Sequence, residues 1–150
     1  MMLKRTGIIL FLTIIIGNLH GQSSGLGLGL ILGAPTGLSM KYWTGPVNAI
    51  DGAFAWSVGK DDGVHLHADY LWHDFRIISV IKGKLPIYYG VGGRILFSDQ
   101  NAVGVRGVAG INYLFEGVPL DIFLELVPIL DLAPEMGFDF NGAIGIRYFF

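Results

Sequence analysis

His65, His67 and Asp69 stand at every second position of one alternating segment, and His73 lies two steps further along. On a strand, residues two apart share a face, so two imidazoles and a carboxylate would project side by side. Such a set can ligate a divalent metal, and Asp51 and Ser57 of the preceding segment are the neighbours that could add to it. The plainer reading is a hydrogen-bonded network in which neutral imidazole fills space beside a carboxylate. No other motif supplies further ligands, so neither a metal nor a cofactor is expected. Hydrolysis needs a serine beside a histidine and an acid. Ser39 and Ser57 fall on the same row as the histidines, away from the apolar row, and no catalytic residue is expected. The glycine repeats Gly25, Gly27, Gly29 and Gly90, Gly92 alternate with leucine or valine and lack the following helix that a phosphate loop requires.

The elements that must position these groups are strands. Alternation of period two runs through eight segments: 25–32, 37–43, 49–58, 64–73, 85–97, 102–115, 120–130 and 137–150. Turn residues separate them, as in Gly59-Lys60-Asp61-Asp62-Gly63. The longest link, 74–84, is expected between the fourth and fifth strands. Nine charged residues fall inside the segments: Lys41, Asp51, Asp69, Arg94, Arg106, Asp121, Glu125, Asp139 and Arg147. All nine lie opposite the apolar row, and His65, His67 and Asn112 share that side.

Composition narrows the class. The chain has 150 residues, 52% hydrophobic and 15% charged, with 23 glycines and no cysteine. Average chains carry ~25% charge and ~7% glycine. A disordered chain would be poor in apolar and aromatic residues. Ten Lys and Arg against twelve Asp and Glu leave no basic excess for nucleic acid.

Residues 1–21 have the order of a secretory leader: Lys4 and Arg5, the apolar run from Ile8 to Ile16, then Gly17 and Gly21. The apolar run is too short to span a bilayer, which takes ~20 residues. Cleavage after Gly21 would leave residues 22–150 as one β-barrel domain beyond the inner membrane.

The apolar row could be the core of a soluble sandwich or the outer wall of a membrane barrel. Three features favour the wall. The charged row is padded with Ala53, Ala55, Gly90, Gly92, Gly110, Ala143 and Gly145, which suits the narrow lumen of an eight-stranded barrel. The apolar row ends in Tyr42, Tyr70, Trp72, Tyr89, Tyr113, Phe115, Tyr148 and Phe150, a belt of rings at one interface. Ile144, Ile146, Tyr148 and Phe150, at every second residue, resemble the C-terminal assembly signal of bacterial outer-membrane proteins.

Several segments carry a wider resemblance. They are Leu28–Trp43, His65–His73, Leu85-Pro86-Ile87-Tyr88-Tyr89-Gly90, Asn112-Tyr113-Leu114-Phe115, Pro119–Glu125 and Gly145-Ile146-Arg147-Tyr148-Phe149-Phe150. The chain resembles the small outer-membrane barrels of the OmpA transmembrane-domain and OmpX type, more narrowly a subfamily with a leucine-glycine first strand. The resemblance implies an all-β, eight-stranded antiparallel up-and-down transmembrane barrel in the Gram-negative outer membrane. The expected partners are outer-membrane lipids and the barrel-assembly machinery, for a monomer with no nucleic-acid role. Expected ion pairs are Lys41 with Asp51, Asp121 with Arg147, and Arg106 with Glu125, with Arg94, Asp69 and Asp139 completing a lumen network. A structural or interaction role is expected rather than catalysis. The alternatives are a soluble periplasmic barrel holding a small apolar ligand, and a lipid-modifying outer-membrane enzyme. An open porin is not expected, because eight strands leave room only for side chains.

Overall fold

A segment with one apolar and one mixed face can hide its backbone edges only by pairing on both sides, and a sheet closed on itself does this for every strand. The computed structural model, which describes residues 25–33, 36–57 and 63–150, shows that closure. Eight strands follow in order: β1 (Gly25–Gly33), β2 (Gly37–Trp43), β3 (Asn48–Ser57), β4 (Gly63–Asp74), β5 (Ile87–Phe97), β6 (Ala102–Leu114), β7 (Leu120–Ala133) and β8 (Gly137–Phe149). Each pairs with the next, and β1 pairs antiparallel with β8. The expected all-β, eight-stranded up-and-down barrel is the fold. The leader expected over residues 1–21 lies outside the described residues.

The seam runs from Gly27 opposite Phe149 to Gly33 opposite Ala143. Glycine is needed there. A Cβ on Gly29 would run into the carbonyl oxygen of Ile146 and the Cα of Arg147. The glycine-leucine alternation of β1 thus lets β8 come close on one face while Leu28, Leu30 and Leu32 stand exposed on the other.

The strand bounds agree with expectation to within one residue except at two places. β5 starts at Ile87 rather than Leu85, because Pro86 has no N–H to give to a ladder; its carbonyl still accepts from the Asn112 amide at 3.0 Å. β7 runs through Asp131 to Ala133 rather than stopping at Leu130, since Asp131 pairs with both Gly104 and Gly137. The upper end of the barrel is defined here as the end of the β1–β2, β3–β4, β5–β6 and β7–β8 links. The lower end carries Gly25, Phe149 and the three other links. The longest link, 75–86, lies there and is tied down. Lys84 and Leu114 exchange backbone hydrogen bonds of 3.0 and 2.8 Å. The Tyr113 hydroxyl donates to the Lys82 carbonyl at 2.9 Å.

The side-chain order is inverted relative to a water-soluble protein. Leu38, Met40, Ile50, Phe54, Leu66, Val91, Ile95, Val105, Ile111, Leu124, Leu126, Ile144 and Ile146 are all exposed. Lys41, Asp51, Asp69, Arg94, Arg106, Asp121, Glu125 and Arg147 are all buried. Among the described residues, the one charged side chain with outward strand parity is Asp74, the last residue of β4 at the lower rim.

Candidate functional site

Inward side chains fill the barrel in layers. At the upper mouth, Arg94 of β5 makes a two-pronged bond to Asp131 of β7, with Nε donating to Oδ1 at 3.0 Å and Nη2 to Oδ2. Its Nη1 lies 3.8 Å from Asp139 of β8. The sequence puts Arg94, Asp69 and Asp139 in one network; Arg94 takes Asp131 as its two-pronged partner and Asp69 goes to Arg106. Asp131 lies just past the expected end of the seventh strand at 130, and the extension of β7 gives it an inward position two steps from Ile129. His65 is partly exposed in this upper region.

Below it, Asp51 and Asp69 stand directly opposite each other across the β3–β4 ladder. Arg106 reaches past Gly92, which intervenes between Asp69 and Arg106 in the ladders, and brings Nε to 2.9 Å from Asp69 Oδ1. A Cβ on Gly92 would collide with the Asp69 carboxylate, so the glycine is what opens the gap. His67 Nε2 lies 3.8 Å from Asp69 Oδ2.

Lower still, the Tyr88 hydroxyl donates to Glu125 Oε2 at 3.0 Å. Arg147 and Asp121, opposite each other in β8 and β7, bond at 3.0 and 3.1 Å. The Arg147 guanidinium also lies 4.0 Å over the Phe123 ring. At the base, Lys41 donates to His73 Nε2 at 2.7 Å and to Asn112 Oδ1 at 3.0 Å. Its ammonium sits 4.3 Å over Trp43. Trp43, Ala49, Leu114 and Phe149 form an apolar floor, with Phe75 packed against it.

Of the three expected pairs, Asp121–Arg147 forms. Lys41 is cross-strand from Asp51 but turns downward to His73 and Asn112. Arg106 goes to Asp69, and Glu125 takes Tyr88 instead. The reason is stagger. Arg106 and Glu125 sit on one strand pair, but Glu125 is opposite Gly110 and Arg106 is opposite Ile129. Asp69, one strand beyond β5, lies level with Arg106. Ser39 is buried, as are His67 and His73. The residues expected as an assembly signal lie on the outer wall: Ile144, Ile146 and Tyr148 are exposed and Phe150 half-buried.

The outer wall carries a ring belt around its lower end. Tyr70 meets Trp72 edge-on at 4.8 Å, and Trp72 stacks on Tyr89 at 6.0 Å. Tyr113 meets Phe115 at 4.8 Å and Tyr148 meets Phe150 at 5.2 Å. Higher up stand Phe54, Trp56, Phe97, Phe138 and Phe140, all exposed.

This wall and this interior define a class: a small closed barrel with apolar side chains outside and ionisable ones within. The structure is similar to the N-terminal β-barrel domain of Pseudomonas aeruginosa OprF, with a TM-score of 0.58 and 14% identity, covering 83% of this chain and 95% of that one. At that identity the likeness is one of fold, and it is the fold of the small outer-membrane barrels that the sequence resembles. No protein-family model and no curated relative matches the chain.

Proposed function

We propose that the protein is a monomeric, integral outer-membrane barrel of a Gram-negative cell, with a structural or interaction role rather than a catalytic one. The observation that carries the reading is the inverted side-chain order: leucine, isoleucine, valine and aromatic side chains cover the outside between the rims, while the ionisable groups are buried within. In water that wall would drive aggregation. In hydrocarbon it is the required surface, and a closed sheet satisfies every backbone group without water. The lower ring belt supports the same reading, since tyrosine and tryptophan concentrate where a bilayer meets water. The closed β1–β8 seam leaves no strand edge for a second copy, which supports a monomer inserted by the barrel-assembly machinery.

The link 75–86 fits this placement. Exposed Ile77, Val80 and Ile81 are flanked by Arg76 on one side and by Lys82 and Lys84 on the other, with the Lys82 carbonyl bonded to Tyr113, an arrangement suited to acyl chains and lipid phosphates at one interface.

Expression of the full chain in a Gram-negative host tests the proposal. The expected result is recovery in outer-membrane fractions, resistance to alkaline extraction, a processed N-terminus after Gly21, and a folded band that migrates faster than the heated one. Recovery as a detergent-free soluble protein would overturn the proposal and favour the soluble periplasmic barrel.

A further inference from the structure

The middle layer of the lumen holds more acidic than basic side chains. Asp51 and Asp69 are buried there with one guanidinium, Arg106, and the Glu125 carboxyl lies in the layer beneath. Lys41 is the cross-strand neighbour of Asp51, but its ammonium bonds His73 and Asn112 in the layer beneath. Like charges directly opposite across a ladder destabilise it, and a buried carboxylate without a partner costs more still. Asp51 Oδ1, both carboxylate oxygens of Asp69, and Nε and Nη2 of Arg106 have no hydrogen-bond partner, although Asp51 and Asp69 are only 6% and 2% exposed.

His67 is 9% exposed and joins this layer. One of its ring nitrogens, one oxygen of Asp51 and one of Asp69 all lie within 4.8 Å of one another. We propose that Asp51, His67 and Asp69 form a binding site for one divalent first-row transition ion in the barrel interior. The chemistry of the donors sets the class. One imidazole nitrogen with two carboxylate oxygens suits zinc, manganese or iron better than calcium, which prefers six or more oxygens. Metal–ligand bonds of ~2.0–2.2 Å place donors roughly 3.4 Å apart, so the three side chains close in by up to about 1.4 Å to bind.

Arg106 has a defined place in this arrangement. Its Nε lies 2.9 Å from Asp69 Oδ1 as an ion pair without hydrogen-bond geometry, while Oδ2 lies on the His67 side, where an ion would sit. His65 stays out of the ligand set. It sits above the cluster, partly exposed, on the route from the upper mouth. The site belongs to the barrel interior and does not rest on the membrane reading.

The test uses the full-length protein purified folded in detergent, stripped with chelator and then equilibrated with zinc, manganese or calcium. Bound metal per chain is counted by mass spectrometry, and cobalt serves as a spectroscopic probe of an N/O ligand set. The expected result is one equivalent of zinc, little calcium, and a higher temperature for loss of the compact gel band. Asp51→Asn and His67→Gln should each weaken binding at least about tenfold, while His65→Gln leaves it unchanged. If a variant fails to give the compact band, the cobalt spectrum of the native barrel decides. The proposal is overturned if the folded native barrel takes up no stoichiometric metal, which would leave Asp51 and Asp69 sharing a proton. Binding that survives both Asp51→Asn and His67→Gln would overturn it as well. An outer-membrane location could fail its own test by fractionation without altering the metal count.

Discussion

Arg147 and Asp121 face each other across the β7–β8 ladder and make two parallel hydrogen bonds of 3.0 and 3.1 Å, with both side chains sealed from solvent. A fork-to-fork pair of this kind satisfies both carboxylate oxygens and fixes the register of the closing strands. Arg147→Met would leave Asp121 buried and unpaired. The expected cost is ~3–5 kcal/mol, seen as a lower urea midpoint by tryptophan fluorescence and a lower temperature for loss of the compact gel band. The double variant Arg147→Met/Asp121→Leu should regain most of that loss, because no charge is then stranded. A double variant as unstable as the single one would show that packing of Arg147 over Phe123, not the pair, carries the stability.

His73 offers a check on proton placement. Its Nδ1 lies 2.9 Å from the Val47 carbonyl oxygen and its Nε2 lies 2.7 Å from Lys41 Nζ. A carbonyl only accepts and an ammonium only donates. The ring must therefore carry its hydrogen on Nδ1 and offer the Nε2 lone pair to Lys41. Nitrogen-15 spectra of the folded barrel should show that tautomer. His73→Phe keeps a ring against Trp43, now 4.4 Å away, but removes an acceptor from a buried ammonium. The expected loss is ~1–3 kcal/mol, measured by urea unfolding, and Lys41→Met in the same chain should reduce it.

Period-two alternation made the eight strands and their inward and outward rows legible from the sequence, because strand geometry ties facing to parity alone. Pairing inside the lumen was less legible. It depends on stagger between strands, which carries Arg106 to Asp69 across Gly92 rather than to Glu125 on its neighbouring strand. It also depends on the freedom of long side chains: the Lys41 ammonium swings down to His73 although Asp51 is opposite its backbone. Asp131 was missed because Pro134 drew the turn boundary too early. Trp43 and Leu114, which floor the barrel, fall on the inward row by parity alone, and one further step along the row from Arg147 reaches Phe149.

Gly29 of the seam and Gly142 of β8, one residue beyond it, give a contrasting pair of substitutions. A Cβ at Gly29 meets the β8 backbone, whereas one at Gly142 finds its nearest neighbour, a Leu126 methyl, at 3.6 Å. Backbone cannot move aside without opening the β1–β8 ladder. Gly29→Ala should cost at least ~1–3 kcal/mol and reduce the yield of compact band on refolding. Gly142→Ala should change stability by no more than about 0.5 kcal/mol. Equal refolding yields would mean that the seam has more slack than the close approach of these strands implies.

Val91 separates a barrel in lipid from a barrel in water. It lies midway along β5, with 62% of its surface exposed, opposite Tyr70 on β4 and Gly107 on β6. Arginine there has room to extend and breaks no internal contact. In water the change should be close to neutral and should improve solubility. At the midplane of a bilayer an outward arginine costs ~2–4 kcal/mol, falling toward zero near the interfaces. The expected result is therefore a marked loss of folding into phospholipid vesicles for Val91→Arg. Tyr42→Arg, at the lower ring belt, should show a much smaller loss. The two variants differ in depth rather than in chemistry, so the contrast reports the hydrocarbon itself. If both refold as well as the native chain and remain dispersed without detergent, the outer wall faces water.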